Sequence, residues 1–403
     1  MEPAWLAAAS QFPALLLTGP RQVGKTTLLR HLCAPARRYV SLDDPMLRAL
    51  AATDPRLFLD RYAPPVLIDE IQYAPELLPY IKMRIDDTRR PGDFWLTGSQ
   101  QFAMMRGISE TLAGRVAIVN LLGFSQREAA GRGLALPPFL PTLAGIHERE
   151  QALAGTAEGA DATYERIWRG SLPEVVARDD VDRDLFYGSY VQTYLQRDVR
   201  DLSQVGNEQA FLRFLRACAA RTAQLLNLSD LARDVDVSHG TAKAWLSILE
   251  ASFQVLVLRP YHSNVTQRLV KTPKLYFLDT GLASYLTEWS TPATLAAGAM
   301  AGPMLETHAV VEVLKSWWHV GRQPRLYFYR DRDGREIDLL IEQDGLLHPI
   351  EVKRAATPRP DWSKAFAVLD ALAPARGHGA VLCLAPTVTP IDRQATAVPV
   401  GLV

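Results

Sequence analysis

The chain has 403 residues, of which 48% are hydrophobic and 22% are charged. These proportions are those of ordinary globular proteins, so they exclude a globally disordered chain, and at roughly 150 residues per domain the length predicts two or three domains. The 44 Lys and Arg residues balance the 44 Asp and Glu residues, which excludes a protein that binds polyanions over its whole surface but not one with a local basic patch.

The cysteines and the first residues bear on location. Cys33, Cys218 and Cys383 lie far apart in the sequence, so we expect neither a disulfide framework nor a cysteine-rich zinc site. The start Met1-Glu2-Pro3 lacks the basic region of a signal peptide, and no apolar run reaches the ~20 residues of a membrane span. We therefore expect a cytoplasmic protein that does not cross a membrane.

In the N-terminal third, short apolar runs alternate with stretches of helical character. The runs are continuously hydrophobic, as in strands that are buried on both faces of a parallel sheet. The predicted strands are residues 14–18, 38–42, 66–69, 94–97 and 116–121. This succession predicts an α/β fold around a parallel sheet.

A glycine-rich segment follows the first of these strands. Residues 19–26 fit the pattern G-x-x-x-x-G-K-[ST] without a departure. Backbone N–H groups of such a loop surround phosphate oxygens, its lysine reaches the β- and γ-phosphates, and its hydroxyl ligates Mg²⁺. The alternative is a chance glycine turn before a helix. The residues predicted to bind the nucleotide are Gly19, Pro20, Arg21, Gln22, Val23, Gly24, Lys25, Thr26 and Thr27.

Two carboxylates end the third predicted strand, at the edge where ligands lie in open α/β sheets. Asp69 is predicted to hold Mg²⁺ together with Thr26, directly or through water. Glu70 is predicted to polarise the attacking water. The alternative is an acidic helix cap after a core strand, and the upstream phosphate loop counts against it.

Further polar side chains near this edge are weaker candidates. Thr97 or Ser99 would sense the γ-phosphate or position the water, and the alternative is turn chemistry around Gly98. Arg115, which precedes the last strand, is a candidate arginine finger in cis or in trans, and Arg106 is a weaker one. A solvated surface arginine is the alternative reading of both.

The middle of the chain contains a helix-turn-helix pattern. Residues 131–163 are rich in Gly, Pro and Ala and are interpreted as a linker or surface insertion. Residues 228–234 and 240–250 predict two short helices, and the apolar run 253–259 suggests a wing. Because the second helix has one lysine, Lys243, and no arginine, DNA contact and a structural or protein-contacting role both stay open.

The C-terminal region predicts three consecutive strands at 326–330, 336–342 and 346–353, separated by two Asp-Gly turns. Pro349 lies within the third strand. Because proline cannot donate to a strand ladder, it predicts an edge strand or a bulge.

These strands bring charged residues together. The period of two puts Glu351 and Lys353 on one face of the third strand. Asp338 stands in an apolar run on the neighbouring strand, where a carboxylate requires a partner or a metal ion. Glu306, in a helix predicted to begin at Pro303, can face the same interior. The alternatives are an ordinary ion pair of Glu351 with Lys353, and an acid favoured by the dipole of the first helical turn.

A series of motifs that begins with the phosphate loop resembles, in the same order, that of the prokaryotic AAA-type ATPases, close to the archaeal STAND-like group. The matching segments are residues 19–26, 41–45, 67–72, 96–100, 112–115, 170–174, 194–198 and 274–282. This resemblance covers nearly the whole chain except the 131–163 segment. It implies that the nucleotide is ATP and that the C-terminal domain is nuclease-like.

The combination of Asp338 with Glu351-Val352-Lys353 resembles the core of the PD-(D/E)xK nuclease superfamily. The resemblance implies that Asp338 and Glu351 hold one or two Mg²⁺ ions, with Glu306 as a third carboxylate. It also implies that Lys353 orients or activates the attacking water and stabilises the developing charge.

The sequence therefore predicts a P-loop NTPase αβα sandwich at 1–130, the linker or insertion at 131–163, a helical and winged-helix region at 164–290, and a restriction-endonuclease-like α/β domain at 291–403. The expected cofactors are ATP and Mg²⁺, and DNA is a candidate partner. The expected function is an ATPase that couples its nucleotide state to DNA binding or processing. The alternatives are an ATP-operated STAND-like switch or scaffold that cuts nothing, and an ATP-gated DNA-binding regulator. A homo-oligomer is one candidate assembly.

Overall fold

The computed structural model of the chain describes residues 1–98, 111–132, 136–153, 158–194, 207–262 and 272–403. The predictions for Ser99, Arg106 and most of the 194–198 segment lie outside these ranges. The chain divides into two compact units. The first comprises Met1–Gly123, Ala251–Phe253 and Trp318–Arg322, and the second comprises Phe124–Glu250, Gln254–Trp317 and Gln323–Val403.

The first unit contains the predicted parallel sheet. Its strands are β1 (Ala14–Thr18), β2 (Arg38–Ser41), β3 (Val66–Asp69), β4 (Phe94–Gly98) and β5 (Val116–Asn120). They follow the order β2-β3-β4-β1-β5, and all neighbours are parallel. β4 thus lies between β1 and β3, so the segments that follow β1 and β3 meet at one edge of the sheet.

The helices of the first unit supply apolar stripes that pack with the sheet. They are Glu2–Ala9, Lys25–Leu32, Pro45–Thr53, Pro55–Arg61 and Leu77–Thr88. Phe58 and Ile81 are fully buried in one core with Ile68 and Leu96 of the strands. Apolar residues at helical spacing therefore close this core, which holds the polar edge of the sheet in place.

The second unit begins as a mainly helical region, as predicted. Its helices are Gln126–Ala129, Leu143–Ala152, Ala160–Arg169, Pro173–Ala177, Arg183–Tyr194, Glu208–Ala219, Leu228–Asp234, His239–Ala251, Thr280–Leu286, Pro292–Ala297 and Ala301–Trp318. None of the helices in the described ranges is both long enough and apolar enough to span a membrane.

The interpretation of residues 131–163 as a linker or surface insertion is wrong for their described part. The helix Leu143–Ala152 lies within it, and Phe139 and Ile146 are buried. The N–H group of Phe139 donates to the Ser316 hydroxyl at 2.9 Å, and its carbonyl accepts the indole N–H of Trp317 at 3.0 Å. These partners lie more than 170 positions away in the sequence, so the local Gly, Pro and Ala content could not reveal them.

Both helices of the predicted helix-turn-helix are present. The Asn227 side chain caps the first by accepting the N–H groups of Ser229 and Asp230, and Ser238 accepts the N–H group of Thr241 at 3.0 Å. A three-stranded antiparallel sheet accompanies them, in the order β6-β8-β7. Its strands are β6 (Gln224–Leu225), β7 (Val255–Leu258) and β8 (Lys274–Phe277).

A mixed sheet forms the C-terminal part of the second unit, and the three predicted strands open it. Its strands are β9 (Leu326–Arg330), β10 (Glu336–Gln343), β11 (Leu346–Lys353), β12 (Ala375–Arg376), β13 (Gly379–Cys383), β14 (Thr389–Asp392) and β15 (Ala395–Pro399). The order is β14-β15-β13-β11-β10-β9, and β12 pairs with the start of β11.

The expectation that Pro349 marks an edge strand or bulge is wrong, because β11 is paired on both sides. Pro349 lies opposite Leu340 of β10. On the other side, β12 pairs with Leu346 and Leu347, and β13 begins its pairing at Ile350. The missing N–H group of proline therefore falls in the gap between two partner strands.

Two glycines bring distant segments of the second unit into close approach. A Cβ built on Gly281 would lie 2.2 Å from the Tyr187 hydroxyl oxygen, 2.5 Å from the Arg169 carbonyl oxygen and 2.7 Å from the Cα of Gly170. The Tyr187 hydroxyl in turn donates to Asp279 at 2.9 Å. The absence of a side chain at Gly281 is therefore a packing requirement.

Gly281→Ala is expected to destabilise the second unit by about 1–3 kcal/mol or more, because the added methyl group would overlap backbone atoms that cannot easily move. Denaturant unfolding followed by circular dichroism measures the change. Gly302→Ala is the matched control, because no described atom outside its own helix lies within 4 Å of its built Cβ. Equal stability of the two variants would contradict this account of Gly281.

Candidate functional site

The phosphate loop has the backbone that its glycines predict. Gly24 has a φ of 84° and forms the N-terminal cap of the helix Lys25–Leu32, while Gly19 has a φ of 154°. A Cβ on Gly19 would lie 1.9 Å from the Leu121 carbonyl oxygen. The loop thus combines backbone freedom with a helix N-terminus, and both favour anion binding.

Lys25 and Thr26 begin this helix and point to different partners. The buried ammonium of Lys25 donates to the carbonyl oxygens of Gly19 at 3.0 Å and Pro20 at 2.7 Å. The Thr26 hydroxyl lies 2.9 and 3.0 Å from the two carboxylate oxygens of Asp69. The structure therefore brings together the loop cation, the loop hydroxyl and the carboxylate of β3.

Asp69 also accepts hydrogen bonds from two hydroxyl groups on the neighbouring strands. Tyr39 on β2 donates to its Oδ2 at 3.1 Å, and Thr97 on β4 donates to its Oδ1. Burial and the neighbouring Asp69 carboxylate raise the pKa of Tyr39, so its hydroxyl keeps its proton at neutral pH. Sequence reasoning missed Tyr39, because no motif marks it and only the pairing of β2 with β3 brings it here.

Glu70 follows Asp69 in a left-handed conformation, with a φ of 59°. This backbone is costly for a residue with a Cβ. Its N–H group donates to the Thr97 hydroxyl at 3.0 Å, and its carboxylate accepts the side-chain amide of Gln72. Thr97 therefore contacts both acids, and its role in sensing the γ-phosphate or positioning the water stays a prediction. Gln72 is a second residue that the sequence did not single out.

Arg115 lies at the opposite end of the parallel strands from the phosphate loop. It directly precedes β5, which runs parallel to β1 with Val116 opposite Ala14. At ~3.3 Å per residue, the five residues of β1 separate this end of the strands from the phosphate loop by about 16 Å. Its guanidinium makes two hydrogen bonds to Asp86, at 2.6 and 3.1 Å. The structure does not bring Arg115 to the phosphate loop of its own chain.

The C-terminal acids lie on adjacent strands, as their spacing predicted. Asp338 on β10 accepts the N–H group of Val352 of β11 at 2.9 Å. On β11, the ammonium of Lys353 lies 2.6 Å from Oε1 of Glu351. Glu351 itself is buried, with 8% of its surface exposed.

Glu306 joins this group from the helix Ala301–Trp318. The helix begins before Pro303, so Glu306 lies in its second turn and the alternative of a first-turn acid is wrong. Its Oε1 accepts the Tyr276 hydroxyl at 2.7 Å and the Lys274 ammonium at 2.9 Å.

Lys274 is the residue that the sequence prediction missed. Its Nζ lies 2.9 Å from Glu306, 2.5 Å from Glu336 and 3.5 Å from Asp338, and its side chain is 3% exposed. A lysine at the first position of an otherwise apolar strand was the available signal, because a buried ammonium requires partners.

The electrostatics of this cluster follow from burial. Burial and the neighbouring Asp338 carboxylate raise the pKa of Glu306 to about 7 and that of Glu351 to about 8. Burial would lower the pKa of Lys274, but Glu306 and Asp338 outweigh it and raise this pKa. Lys274 therefore stays charged at neutral pH.

The assignment of Glu306, Asp338 and Glu351 as metal ligands stays a prediction, but the side chains in the ranges that the structure describes count against it. There, no group of three or more His, Cys, Asp or Glu side chains is arranged to hold a metal ion. The Lys274 ammonium lies near Glu306 and Asp338, while Lys353 binds Glu351, so each of these acids already has a cationic partner.

Three family models match the chain. Residues 11–130 match an AAA domain. Residues 160–293 and 301–403 match two domains of unknown function, DUF8612 and DUF4143.

Similar proteins are known from mycobacteria and archaea. The uncharacterized proteins Rv2008c of Mycobacterium tuberculosis and Mb2031c of Mycobacterium bovis are 30% identical over 365 residues, which are 90% of this chain and 75% of each relative. The Walker-type ATPase of Pyrococcus abyssi is 15% identical, with a TM-score of 0.43 over 70% of this chain and 93% of that one. A structural similarity of that size carries no argument about function.

Proposed function

Since the chain belongs to the same family as these uncharacterized mycobacterial proteins and carries a P-loop AAA-type ATPase domain, we propose that it hydrolyses ATP with Mg²⁺ and uses its nucleotide state to control DNA binding or processing. The observation that carries the ATPase part is the convergence of Lys25, Thr26 and Asp69 at one edge of the sheet, with Glu70 next to them.

Each side chain at this edge has a task that its position supports. The Lys25 ammonium, held over the loop by two carbonyl groups, exchanges them for phosphate oxygens when ATP enters. The Thr26 hydroxyl and the Asp69 carboxylate form the oxygen donor set that Mg²⁺ prefers. The bound ion would neutralise charge on the β- and γ-phosphate oxygens.

Glu70 orients the attacking water in this proposal. Its backbone N–H group is tied to Thr97, and its carboxylate accepts a hydrogen bond from Gln72. A general base works only when held within reach of its proton.

The DNA part of the proposal rests on the helices Leu228–Asp234 and His239–Ala251 with the β-strands that follow. In this arrangement, the second helix enters the major groove. Among its residues, His239 and Lys243 are exposed. With so few cations, we expect a weak dependence of binding on salt, at a slope of about −0.9 per phosphate contacted.

A second candidate function is an ATP-operated switch whose C-terminal part cuts nothing. The observation that favours it is the Lys274 ammonium among Glu306, Glu336 and Asp338. A lysine ammonium among these acids weakens the attraction of the centre for a catalytic metal ion.

One set of assays tests the proposal and separates the two candidates. The full-length protein is expected to hydrolyse ATP with Mg²⁺, Glu70→Gln to lose turnover, and Asp338→Ala to keep it. DNA binding that changes between ATP and ADP supports the coupling. DNA cleavage with Mn²⁺ that is lost in Asp338→Ala favours processing, and its absence favours the switch. Failure of the wild type to hydrolyse ATP would refute the ATPase assignment.

A further inference from the structure

We infer that Lys274 is the resident cation of the C-terminal carboxylate cluster, formed by Glu306, Glu336 and Asp338, and that its ammonium takes the place that a divalent metal ion would fill. This inference is independent of the ATPase proposal, because every residue that it uses lies in the second unit.

The position of Lys274 follows from the register of β8. Lys274 and Tyr276 are alternate residues of this strand, so they point to the same face. Both reach Oε1 of Glu306, at 2.9 and 2.7 Å, while the ammonium also lies 2.5 Å from Oε1 of Glu336 on β10. One strand face thus binds the helix and the C-terminal sheet together.

Each acid of the cluster has a second donor besides the ammonium. Glu306 accepts from the Tyr276 hydroxyl, and Asp338 accepts from the Val352 N–H group at 2.9 Å. Oε2 of Glu336 accepts from the Arg330 guanidinium at 2.9 Å. A buried ion pair is more stable when further donors bind its acids, and each acid of this cluster has such a donor without a metal ion.

The remaining acid of the predicted metal site is bound by a different lysine. Oε1 of Glu351 lies 2.6 Å from Nζ of Lys353, and that side chain is 37% exposed. A divalent ion that approached Asp338 would meet the positive charge of Lys274, whose Nζ lies 3.5 Å from Oδ1 of that acid. Because like charges repel strongly in a poorly hydrated interior, metal binding requires the removal of the Lys274 charge.

The test measures Mn²⁺ binding to the nucleotide-free, full-length protein by electron paramagnetic resonance, together with the unfolding temperature in EDTA and in Mn²⁺. The wild type is expected to show no Mn²⁺ binding that depends on Asp338. Lys274→Met, which keeps the length of the side chain but removes its charge, is expected to unfold at a lower temperature in EDTA. Mn²⁺ should then raise that temperature and bind, and the further change Asp338→Asn should abolish both effects.

Two other variants make the comparison specific. Lys274→Arg keeps the charge and is expected to bind no Mn²⁺. Lys315→Met removes another buried ammonium, which lies 2.9 Å from Glu312. It is expected to lose stability to a similar extent, but Mn²⁺ should not restore it.

The opposite results would overturn the inference. Mn²⁺ binding by the wild type that is lost in Asp338→Asn would show that the acids hold a metal ion beside Lys274. A folded Lys274→Met protein that gains no Mn²⁺ binding would show that the acids are not arranged around a cation. If this variant is unfolded in EDTA, refolding in Mn²⁺ supports the inference, and failure to refold in Mn²⁺ contradicts it. ATP turnover, measured separately, decides the proposed function.

Discussion

Lys25→Ala is expected to raise the dissociation constant for ATP by about 100-fold or more. Hydrogen bonds to charged groups contribute roughly 1.5–3 kcal/mol each, and the ammonium of a phosphate-loop lysine contacts both the β- and the γ-phosphate. Lys25 is buried at the start of the loop helix, where its ammonium donates to the carbonyl groups of Gly19 and Pro20. Calorimetric titration with ATP and Mg²⁺ measures the loss.

Two control variants accompany Lys25→Ala. Lys82→Ala removes a half-buried lysine of the helix Leu77–Thr88 and should bind ATP as the wild type does. Glu70→Gln should also bind ATP but hydrolyse it slowly, because the amide keeps the shape of the side chain without its charge. If Lys25→Ala bound ATP as tightly as the wild type, the phosphate-loop assignment would be wrong.

Arg115→Ala is expected to lower ATP turnover by about 10³-fold with little change in ATP affinity, if Arg115 acts as an arginine finger. Arg115 lies at the opposite end of the strands from the phosphate loop of its own chain. As an arginine finger it would therefore act on the phosphate loop of a neighbouring subunit. A mixture of Arg115→Ala and Glu70→Gln proteins should therefore recover activity. In a mixed assembly, an intact Glu70 site can meet an intact Arg115. Steady-state turnover across mixing ratios measures the recovery.

Asp86→Ala is the matched control for Arg115→Ala. The two residues form one ion pair, with Nε of Arg115 2.6 Å from the Asp86 carboxylate. A role limited to that surface pair predicts the same turnover for both single variants, and no recovery on mixing. A finger role predicts that Asp86→Ala retains turnover, because the guanidinium remains.

The sequence specified those parts of the fold that depend on neighbouring residues. The strands β1 and β3 match their predicted bounds, because a continuous apolar run between polar segments suffices to define a buried strand. The phosphate loop was predictable for a similar reason, because the backbone angles of Gly19 and Gly24 are ones that glycine adopts readily. The adjacency of Asp338 and Glu351 also followed from local spacing, because a short hairpin joins their strands.

Such local patterns could not predict contacts between side chains of distant strands and helices. Tyr39 contacts Asp69 across 30 positions, and Phe139 contacts Ser316 across 177. Pro349 was assigned to an edge because its missing N–H group is a local property, whereas the gap between β12 and β13 is a property of the assembled sheet.

The C-terminal cluster shows most clearly what the tertiary structure decided. The sequence identified three acids and one lysine with the spacing of a metal centre, and Lys274 lies beside two of those acids. Whether such acids bind a metal ion or a lysine depends on which cation the fold brings to them. Lys274 comes from β8, 32 residues before Glu306, and no local pattern relates the two. Only the packing of β8 against the helix and β10 puts the ammonium there, because a buried charge is stable only where opposite charges surround it.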